Sequence, residues 1–415
     1  MVSKSRVDIK SRGKRFLKKV YYAFLELLLR AGANRLVFIL SEMTIDRLQS
    51  ETDAGVFWLR SRDAINGTTV LPDMNHDLRT RFCSRPFEWL EIGAKDLHLC
   101  CSAWLPTPIG SSDDPVAAWS GESAEKIRRS ILDKSFRYCS RLYCPYIVKG
   151  TLPFDNGVVP QTSARPRIIN LSYDFSCNLS CPSCRTRPFV ANSAERAGLD
   201  NYYSSKVAPL LSSGSVVNVT GSGDPFASKH FRSVLRDLAA RHGVMIDLQT
   251  NGNLFDRRAW EDLSLSGSVR RVRVSLDAAT EHTYSYVRRG GRFARVLENL
   301  AFLMTLRASG QIDFLGIDVV LQARNIDEVP GIIEMARTIG VDKIRFNTIR
   351  NWGTYSAKEF QKESIHSAMH GNRARFEEVY RSGIFSDPIV DQGNIRQAIG
   401  LYSSNIDDDH DVGHA

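Results

Sequence analysis

Residues 160 to 350 contain two alternating hydrophobic patterns. Short apolar runs predict strands at 168–173, 215–220, 245–250, 269–276, 315–321 and 343–348. Between several of these runs, apolar positions recur at helical spacing and predict helices at 204–211, 229–241, 293–308 and 326–339. Strands that alternate with helices are typical of an α/β fold with a parallel sheet. The units predict a partial (β/α)6 barrel of the TIM type, in which chemistry takes place at the carboxyl ends of the strands.

The chain of 415 residues is too long for one ordinary domain. We predict a basic, amphipathic helical region at 1–72, a small cysteine-rich α+β module at 73–150, the α/β core at 160–350 and a carboxyl-terminal extension at 351–415. That extension ends in an acidic segment that we expect to be disordered, with aspartates at 407, 408, 409 and 411. His410 and His414 in this tail are read as solvated residues, not as ligands.

The net charge of +9 first suggests a polyanionic partner. Much of the excess, however, lies in the first 19 residues, where eight Lys and Arg side chains oppose only Asp8. The core is therefore nearer to neutral, and we do not expect a nucleic-acid partner. An apolar share of 43% is ample for sizeable cores, and no uninterrupted apolar run is long enough to cross a membrane.

The amino-terminal region contains an amphipathic pattern. Phe16, Val20, Phe24, Leu27 and Leu28 recur at helical spacing beside the basic segment. Such a helix could rest on an anionic membrane, or it could pack on its own domain, and the sequence leaves both readings open. The pattern differs from a signal peptide because a glutamate interrupts the apolar stretch and no clear cleavage site follows.

The eight cysteines fall into two groups in a chain without a convincing export signal. In a reducing cytosol, clustered cysteines are read as metal ligands, so we expect a cytoplasmic protein, with peripheral membrane association left open. The second group is Cys177, Cys181 and Cys184, in a C-x3-C-x2-C loop that follows a predicted strand. Three such thiolates can hold an iron–sulfur cluster and leave one iron open for another ligand. A zinc site or structural thiols are the alternatives.

This cysteine spacing resembles the signature of the radical S-adenosylmethionine (SAM) enzymes. The resemblance implies a [4Fe–4S] cluster on Cys177, Cys181 and Cys184, with the amino and carboxylate groups of SAM on the open iron. It also implies the partial barrel as the core fold. In many relatives an aromatic residue packs near the adenine where this chain has Ser183.

Two turns after predicted strands resemble SAM-binding segments of the same family. The run Gly221-Ser222-Gly223-Asp224-Pro225 is similar to a Gly-Gly-Glu-Pro segment, with a serine for one glycine and a shorter acid. The resemblance implies that Gly221, Gly223 and Asp224 contact the SAM amino group, because glycine lets a ligand approach the backbone and an acid pairs with an ammonium. Asn251 lies in a Thr-Asn-Gly turn that is also common as ordinary turn sequence.

A third segment adds polar candidates. By resemblance, Ser275 and Asp277 could bond the ribose hydroxyls, and Arg288 or Arg289 could bind the SAM carboxylate. A solvated charge pair is the alternative for the arginines. The ordered set of motifs is more specific than any one of them.

The first cysteine group precedes the core. Cys83, a hairpin that ends in Cys100 and Cys101, a helix near 124–132, and the pair Cys139 and Cys144 are similar to the auxiliary-cluster module of SPASM/twitch radical SAM enzymes. The module is unusual because it lies before the barrel. It has enough cysteines for a second [4Fe–4S] cluster with one to spare, and the sequence leaves open whether Cys100 or Cys101 ligates. A zinc site on the same residues is the alternative.

The resemblance implies an enzyme that reductively cleaves SAM to a 5′-deoxyadenosyl radical and abstracts hydrogen from a peptide or a small molecule. It also implies an electron donor such as flavodoxin or ferredoxin. The alternatives are a non-catalytic iron–sulfur scaffold or electron carrier, and an RNA-modifying radical enzyme. A nucleoside pocket would be unnecessary in an electron carrier, and we find no recognisable RNA-binding domain.

Overall fold

A computed structural model describes residues 78–140, 144–158, 162–219, 222–352, 354–365 and 372–395. The predicted amino-terminal helix and acidic tail lie outside these residues, as does Gly221. Among the described residues, no helix is both long and apolar enough to cross a membrane.

One mixed sheet of ten strands organises the described residues. Its strands are β1 Trp89–Gly93, β2 Asp96–His98, β3 Gly110–Ser111, β4 Ile168–Ser172, β5 Val216–Val219, β6 Met245–Thr250, β7 Val269–Ser275, β8 Phe314–Leu321, β9 Lys343–Thr348 and β10 Val390–Asp391. The spatial order is β10-β9-β8-β7-β6-β5-β4-β1-β2-β3. Strands β4 to β9 are parallel and adjacent in chain order, so the open sheet is a partial (β/α)6 barrel, as predicted.

Helices connect these strands. The α-helices are α1 Arg85–Glu88, α2 Pro115–Trp119, α3 Glu122–Leu132, α4 Pro145–Val148, α5 Ser193–Tyr202, α6 Lys229–Ala240, α7 Arg257–Asp262, α8 Glu281–Val287, α9 Phe293–Ala308, α10 Val329–Ile339, α11 Ala357–Glu363 and α12 Arg373–Arg381. Polar caps begin several of them: Ser228 starts α6, Asp256 starts α7 and Thr280 starts α8 by accepting a backbone N–H.

The segment before β5 differs from the predicted single helix over 204–211. Helix α5 begins at a capping box formed by Asn192 and Glu195 and continues as a π-helical turn, Tyr203–Val207, and a 3₁₀ turn, Ala208–Leu210. The 3₁₀ turn contains Pro209, which has no N–H to extend an α-helical ladder. A second 3₁₀ turn, Ile326–Glu328, likewise precedes α10.

The cysteine-rich segment does not form a sheet of its own. Strand β1 pairs in parallel with β4, in a register that places Trp89 opposite Ile168, and β2 and β3 continue the sheet as antiparallel strands. Leu90, Ile92 and Leu97 belong to the same buried core as the strands of the barrel. The predicted hairpin is therefore present, but it extends the barrel sheet.

The two faces of the sheet differ in chemistry. An added Cβ at Gly252 would lie 2.8 Å from Val274 of β7 and 2.7 Å from Val296 of α9, so Val274 faces the helices. Arg273 points the other way, because successive strand residues alternate. The face opposite the helices is thus partly polar and charged, and it adjoins the carboxyl ends of the strands.

Candidate functional site

The cysteine loop follows β4. Cys177 and Cys181 are buried, whereas Cys184 is exposed. The backbone of Cys177 pairs with that of Phe189 in both directions, with N···O distances of 2.6 and 3.1 Å. The carbonyl of Cys181 accepts from the N–H groups of Cys184 and Arg185, each at 2.9 Å. These bonds close the loop and keep the three thiols on one connected turn.

Hydrogen-bond donors from separate segments surround the sulfurs. The backbone N–H of Leu179 lies 3.5 Å from Cys177 Sγ, and Asn251 Nδ2 lies 3.8 Å from the same atom. The guanidinium of Arg185 donates to Cys184 Sγ at 3.7 Å. Donors and nearby cations stabilise thiolates, which are the form that binds iron. The environment therefore fits three thiolates that share an iron–sulfur cluster.

Burial works against the charged form of the free thiols. It raises the pKa of Cys177 to about 11 and also raises that of Cys181, where Arg288 opposes the shift. In the described part of the chain, no group of three or more His, Cys, Asp or Glu side chains could hold a single metal ion. In a cubane cluster each thiolate binds its own iron, so the sulfurs need not converge on one point.

The Ser222–Gly223–Asp224 turn lies directly against the start of the cysteine loop. An added Cβ at Gly223 would lie only 2.4 Å from the carbonyl oxygen of Ser176. The N–H of Asp224 donates to that carbonyl at 2.7 Å, and Arg185 reaches the carbonyl of Ser222. Only glycine permits this approach of two backbones.

The carboxylate of Asp224 is buried and used within the protein. Its Oδ2 accepts from Thr250 Oγ1 at 2.8 Å and from the N–H of Asn251 at 2.7 Å. Its Oδ1 accepts from the N–H groups of Phe226 and Ala227 at 3.0 and 3.3 Å. Burial raises the pKa of Asp224, although these donors oppose the shift. The structure thus gives Asp224 a positioning role between two turns, and its contact with SAM stays a prediction.

The Thr250-Asn251-Gly252 turn is held on both sides. Asn251 Nδ2 donates to Asn178 Oδ1 at 3.0 Å as well as facing Cys177. Gly252 has φ = +75°, and its carbonyl accepts from Asn299 Nδ2 at 2.7 Å. The turn therefore presents the Asn251 amide to the cysteine loop from a fixed backbone.

Asp277 and Arg288 form a buried ion pair beside Cys181. Arg288 Nε lies 2.8 Å from Asp277 Oδ2, and the N–H of Val320 donates to Asp277 Oδ1 at 2.7 Å. Burial opposes the charge on Arg288, but Asp277 and the Cys181 sulfur outweigh it and raise the pKa of Arg288. Ser275 is half-buried at the end of β7. Arg288 thus spends its charge on Asp277 and Cys181, and its predicted contact with a carboxylate is untested.

Of the upstream cysteines, Cys83, Cys100, Cys101 and Cys144 lie within electrostatic reach of one another. Burial raises the pKa of Cys83 to about 11 and also raises that of Cys100. Cys139 is buried in the same hydrophobic core, and its N–H donates to the carbonyl of Phe136 at 2.9 Å.

Sequence reasoning missed Arg85, which lies among these cysteines. Its guanidinium lies 4.7, 5.3 and 5.1 Å from the ring centroids of Trp89, Trp104 and Tyr146, and it donates to the Tyr146 hydroxyl at 2.9 Å. The charge on Arg85 opposes the rise in the pKa of both Cys83 and Cys100. An arginine two positions after a cysteine is a weak signal, because its aromatic neighbours come from distant positions.

A charged network on the face opposite the helices was also missed. Asp318 Oδ1 accepts from Arg273 at 2.9 Å and from Arg345 at 3.0 Å, while its Oδ2 accepts from Arg345 at 2.7 Å. On the other side of the sheet, Asn170 Nδ2 donates to the buried Glu91 at 3.3 Å. Charged residues inside otherwise apolar strands were the available signal.

The fold and the site together define a class: an α/β barrel enzyme core with a three-cysteine iron–sulfur loop after its first strand. Residues 175–336 match the sequence profile of the Radical SAM superfamily, which places the motifs described above in one domain. The chain belongs to the radical SAM superfamily.

Several curated relatives are named GTP 3′,8-cyclase. The protein from Peptoclostridium acidaminophilum is 30% identical over 139 residues, which are 33% of this chain and 42% of that protein. The protein from Lactiplantibacillus plantarum is 27% identical over 236 residues, which are 54% of this chain and 65% of that protein. The matches thus cover less than two thirds of either relative.

Solved structures show more distant similarity. Streptococcus suis SuiB bound to S-adenosylmethionine has 14% identity and a TM-score of 0.38, over 54% of this chain and 48% of that one. The enzyme anSMEcpe with bound AdoMet has 16% identity and a TM-score of 0.32, over 52% of this chain and 59% of that one.

Proposed function

We propose that this protein reductively cleaves SAM at a [4Fe–4S] cluster held by Cys177, Cys181 and Cys184, and modifies a peptide or a small molecule by hydrogen abstraction. The observation that carries the proposal is the contact of the cysteine loop with the Gly223–Asp224 and Asn251 turns. A cluster alone would not require these turns to converge on it. A nucleoside-containing cosubstrate would.

When bound, the cluster supplies the electron that divides SAM into methionine and a 5′-deoxyadenosyl radical. The chain's own residues hold the thiolates and shape their surroundings. Asn251 and Arg185 donate toward the sulfurs, and Arg288 provides a buried positive charge beside Cys181. Hydrogen bonds and burial around such sulfurs tune the reduction potential of a cluster.

We further propose an auxiliary cluster on the upstream cysteines: Cys83, Cys139, Cys144 and either Cys100 or Cys101. The mutual proximity of Cys83, Cys100, Cys101 and Cys144 supports this proposal, as does the cation of Arg85 among them. Zinc on the same thiolates is the competing reading. Iron and zinc analysis of the same anaerobic preparation distinguishes the two metals.

The face opposite the helices is suited to a polar substrate. Arg273 and Arg345 share the single carboxylate of Asp318, so positive charge exceeds negative charge within this group. Such a group favours an anionic portion on the substrate, whether a peptide side chain or a small metabolite. The relatives named GTP 3′,8-cyclase are consistent with an anionic small molecule. We also propose a one-electron donor of the flavodoxin or ferredoxin type and a reducing, cytoplasmic location.

The decisive test is anaerobic reconstitution with iron and sulfide, followed by iron counting and detection of 5′-deoxyadenosine after addition of SAM and dithionite. About eight irons per chain are expected for two [4Fe–4S] clusters. About four irons with the nucleoside would retain the enzyme but remove the auxiliary cluster. Iron without the nucleoside, in preparations that bind SAM, would favour a scaffold or electron carrier.

The matched variants are Cys184→Ala and Cys101→Ala. Cys184→Ala should lose about four irons and all SAM cleavage, because the cluster loses one of three thiolates. Cys101→Ala should retain the cleavage, because that cysteine is not part of the loop. Cleavage that survives in Cys184→Ala would contradict the assignment of the loop.

A further inference from the structure

Cys184 is the point at which the cysteine loop reaches the surface. Among the eight cysteines, all of which are described, it alone is exposed. An electron that enters the loop from a protein partner would have its shortest route beside this residue. The surface around Cys184 is therefore the place to look for a docking site.

Apolar side chains flank this position. Phe175, Phe189 and Val190 are exposed to 46%, 39% and 48%, which is unusual for large apolar residues so close together. They are tied to the loop rather than to a separate element, since Phe189 pairs with Cys177 and the carbonyl of Phe175 accepts from Arg185 at 2.6 Å. The patch is thus fixed relative to the cysteines.

The same surface is strongly basic. Segments 175–194 and 282–297 contain no aspartate or glutamate. They contact each other where the N–H of Ser180 donates to the carbonyl of Arg289 at 2.9 Å, and where the Arg289 side chain reaches Ser180 Oγ and the carbonyl of Thr186 at 3.1 and 3.2 Å. Two acid-free segments therefore form one continuous surface.

Few of the arginines on this surface are neutralised by carboxylates. Arg288 is paired with Asp277 and Arg295 with Asp256. By contrast, Arg185 and Arg289 donate to carbonyl, hydroxyl and thiol groups, and Arg187 is exposed. The surface thus combines a small apolar patch with surplus positive charge.

We propose that Phe175, Arg185, Arg187, Phe189, Val190 and Arg289 form a docking surface for an acidic one-electron donor protein, which we call the donor surface. This inference rests on the proposed function. Complementary charge accelerates encounter, and the apolar centre supplies the contact that excludes water. A flavodoxin suits the surface: its anionic flavin hydroquinone becomes the neutral semiquinone, gives one electron to the cluster, and releases no proton.

The test uses the reconstituted full chain with reduced flavodoxin and, separately, with dithionite. Arg187→Glu combined with Val190→Ser removes one charge and one apolar contact without touching a cysteine or a residue of the SAM turns. We expect flavodoxin-driven formation of 5′-deoxyadenosine to fall roughly tenfold or more at low salt. Dithionite-driven formation should remain unchanged, because dithionite is small and needs no docking surface.

Direct binding provides a second readout. The dissociation constant for flavodoxin, measured with both the cluster-free and the loaded chain, should rise in the variant and should rise in the unmodified chain as salt is added. The matched control is Arg129→Glu on α3, an exposed arginine outside the donor surface, which should leave both rates and the dissociation constant unchanged.

The outcomes separate the two proposals. Unchanged flavodoxin-driven rates and binding in the double variant would overturn the donor surface alone. An equal loss with both reductants would also overturn it, and would instead assign these residues to SAM or to an acidic peptide substrate. No dithionite-driven cleavage by the unmodified, loaded chain would overturn the proposed function itself.

Discussion

At the scale of single residues, the carboxylate of Asp224 connects the elements around the cysteine loop. It receives donors from its own turn and from the turn after β6, and its N–H bonds to the segment that leads into Cys177. One side chain therefore fixes the relative positions of three segments. Its effect on SAM binding is expected to pass through Asn251 and Gly223, whose positions it sets.

Replacing Asp224 should weaken both the fold and the affinity for SAM. Asp224→Ala leaves buried donors of Thr250 and Asn251 unpaired, which costs about 1–3 kcal/mol each when no water replaces the acceptor. Asp224→Asn retains one oxygen acceptor and should be intermediate. Thermal unfolding of the cluster-free chain and SAM binding to the loaded chain measure the two effects. Unaltered stability with lost SAM affinity would indicate direct contact instead.

A single upstream cysteine tests the auxiliary site. Cys144→Ala should lower the iron content by about half, while dithionite-driven SAM cleavage continues at the separate cysteine loop. Cys100→Ala and Cys101→Ala, compared in the same assay, identify which of the two is a ligand, because only the ligand should reproduce the loss of iron. Unchanged iron in Cys144→Ala would contradict the auxiliary cluster.

Sequence alone supports the residue scale unevenly. The cysteine loop was evident because three identical side chains lie within eight positions. The partners of Arg288 and Asp224 were not evident, since both charges were read as free for a ligand and both are used internally. Contacts between distant turns decide such roles, and local sequence does not contain them.

At the scale of elements, the Thr250-Asn251-Gly252 turn depends on a backbone that side chains resist. Gly252→Ala combines a positive φ with a Cβ that would lie within 2.8 Å of two valines. We expect a loss of about 2–4 kcal/mol, since strain and overpacking each cost about 1–3 kcal/mol.

Gly267→Ala provides the matched control. Gly267 has φ = +79° but open space around its missing Cβ, so only the backbone term should remain. Chemical unfolding of both variants separates the two terms. Equal losses would show that the valines move aside without cost.

His230 on α6 joins two other elements. Its Nε2 lies 3.0 Å from the hydroxyl of Tyr173, directly after β4, and its Nδ1 lies 2.6 Å from Asp200 of α5. In this network the neutral ring donates from Nδ1 to Asp200 and accepts at Nε2 from Tyr173. Burial lowers the pKa of His230, although Asp200 opposes the shift.

The pH dependence follows from that direction. The native ring stays neutral while the unfolded ring takes up a proton as the pH falls through its ordinary pKa of 6.5. The contribution of His230 to stability is therefore present above about pH 6.5 and declines below it. The difference in unfolding free energy between the unmodified chain and His230→Gln should be larger at about pH 8 than at about pH 5.5. The reverse order would show that the native ring is protonated.

The apolar runs predicted the strands of the barrel well, because buried parallel strands are nearly continuous hydrophobic segments. Strands β6 and β9 match their predicted bounds at both ends. Helix α5 was missed because none of its residues is fully buried, so its sequence lacks an apolar stripe. Its capping box, Asn192 to Glu195, was the available signal.

At the scale of the whole molecule, the cysteine-rich segment and the barrel share one sheet. The β1–β4 pairing gives β4 a neighbour on its amino-terminal side, opposite β5. Sequence reasoning treated residues 73–150 as a separate module because hydrophobic patterns identify strands but not their partners. The pairing of strands from different parts of the chain is a tertiary property.

Removing the upstream segment should destabilise the core. A chain that begins at residue 160 exposes the edge of β4 and the apolar groups that contact Leu90 and Ile92, and open edges of this kind promote association. We expect a lower midpoint of thermal unfolding and concentration-dependent oligomers in size-exclusion chromatography. A stable monomer with unchanged unfolding would show that the segment is an independent domain.

The shared sheet also bears on how the protein matures in the cell. The strand that leads into the cysteine loop is hydrogen-bonded along its length to the strand that follows Cys83, so ordering either cysteine group restrains the other. Iron and sulfide delivered to the upstream group should then slow proteolysis of the segment around Cys184. The order in which the metal centres are assembled would become part of the folding pathway of this chain.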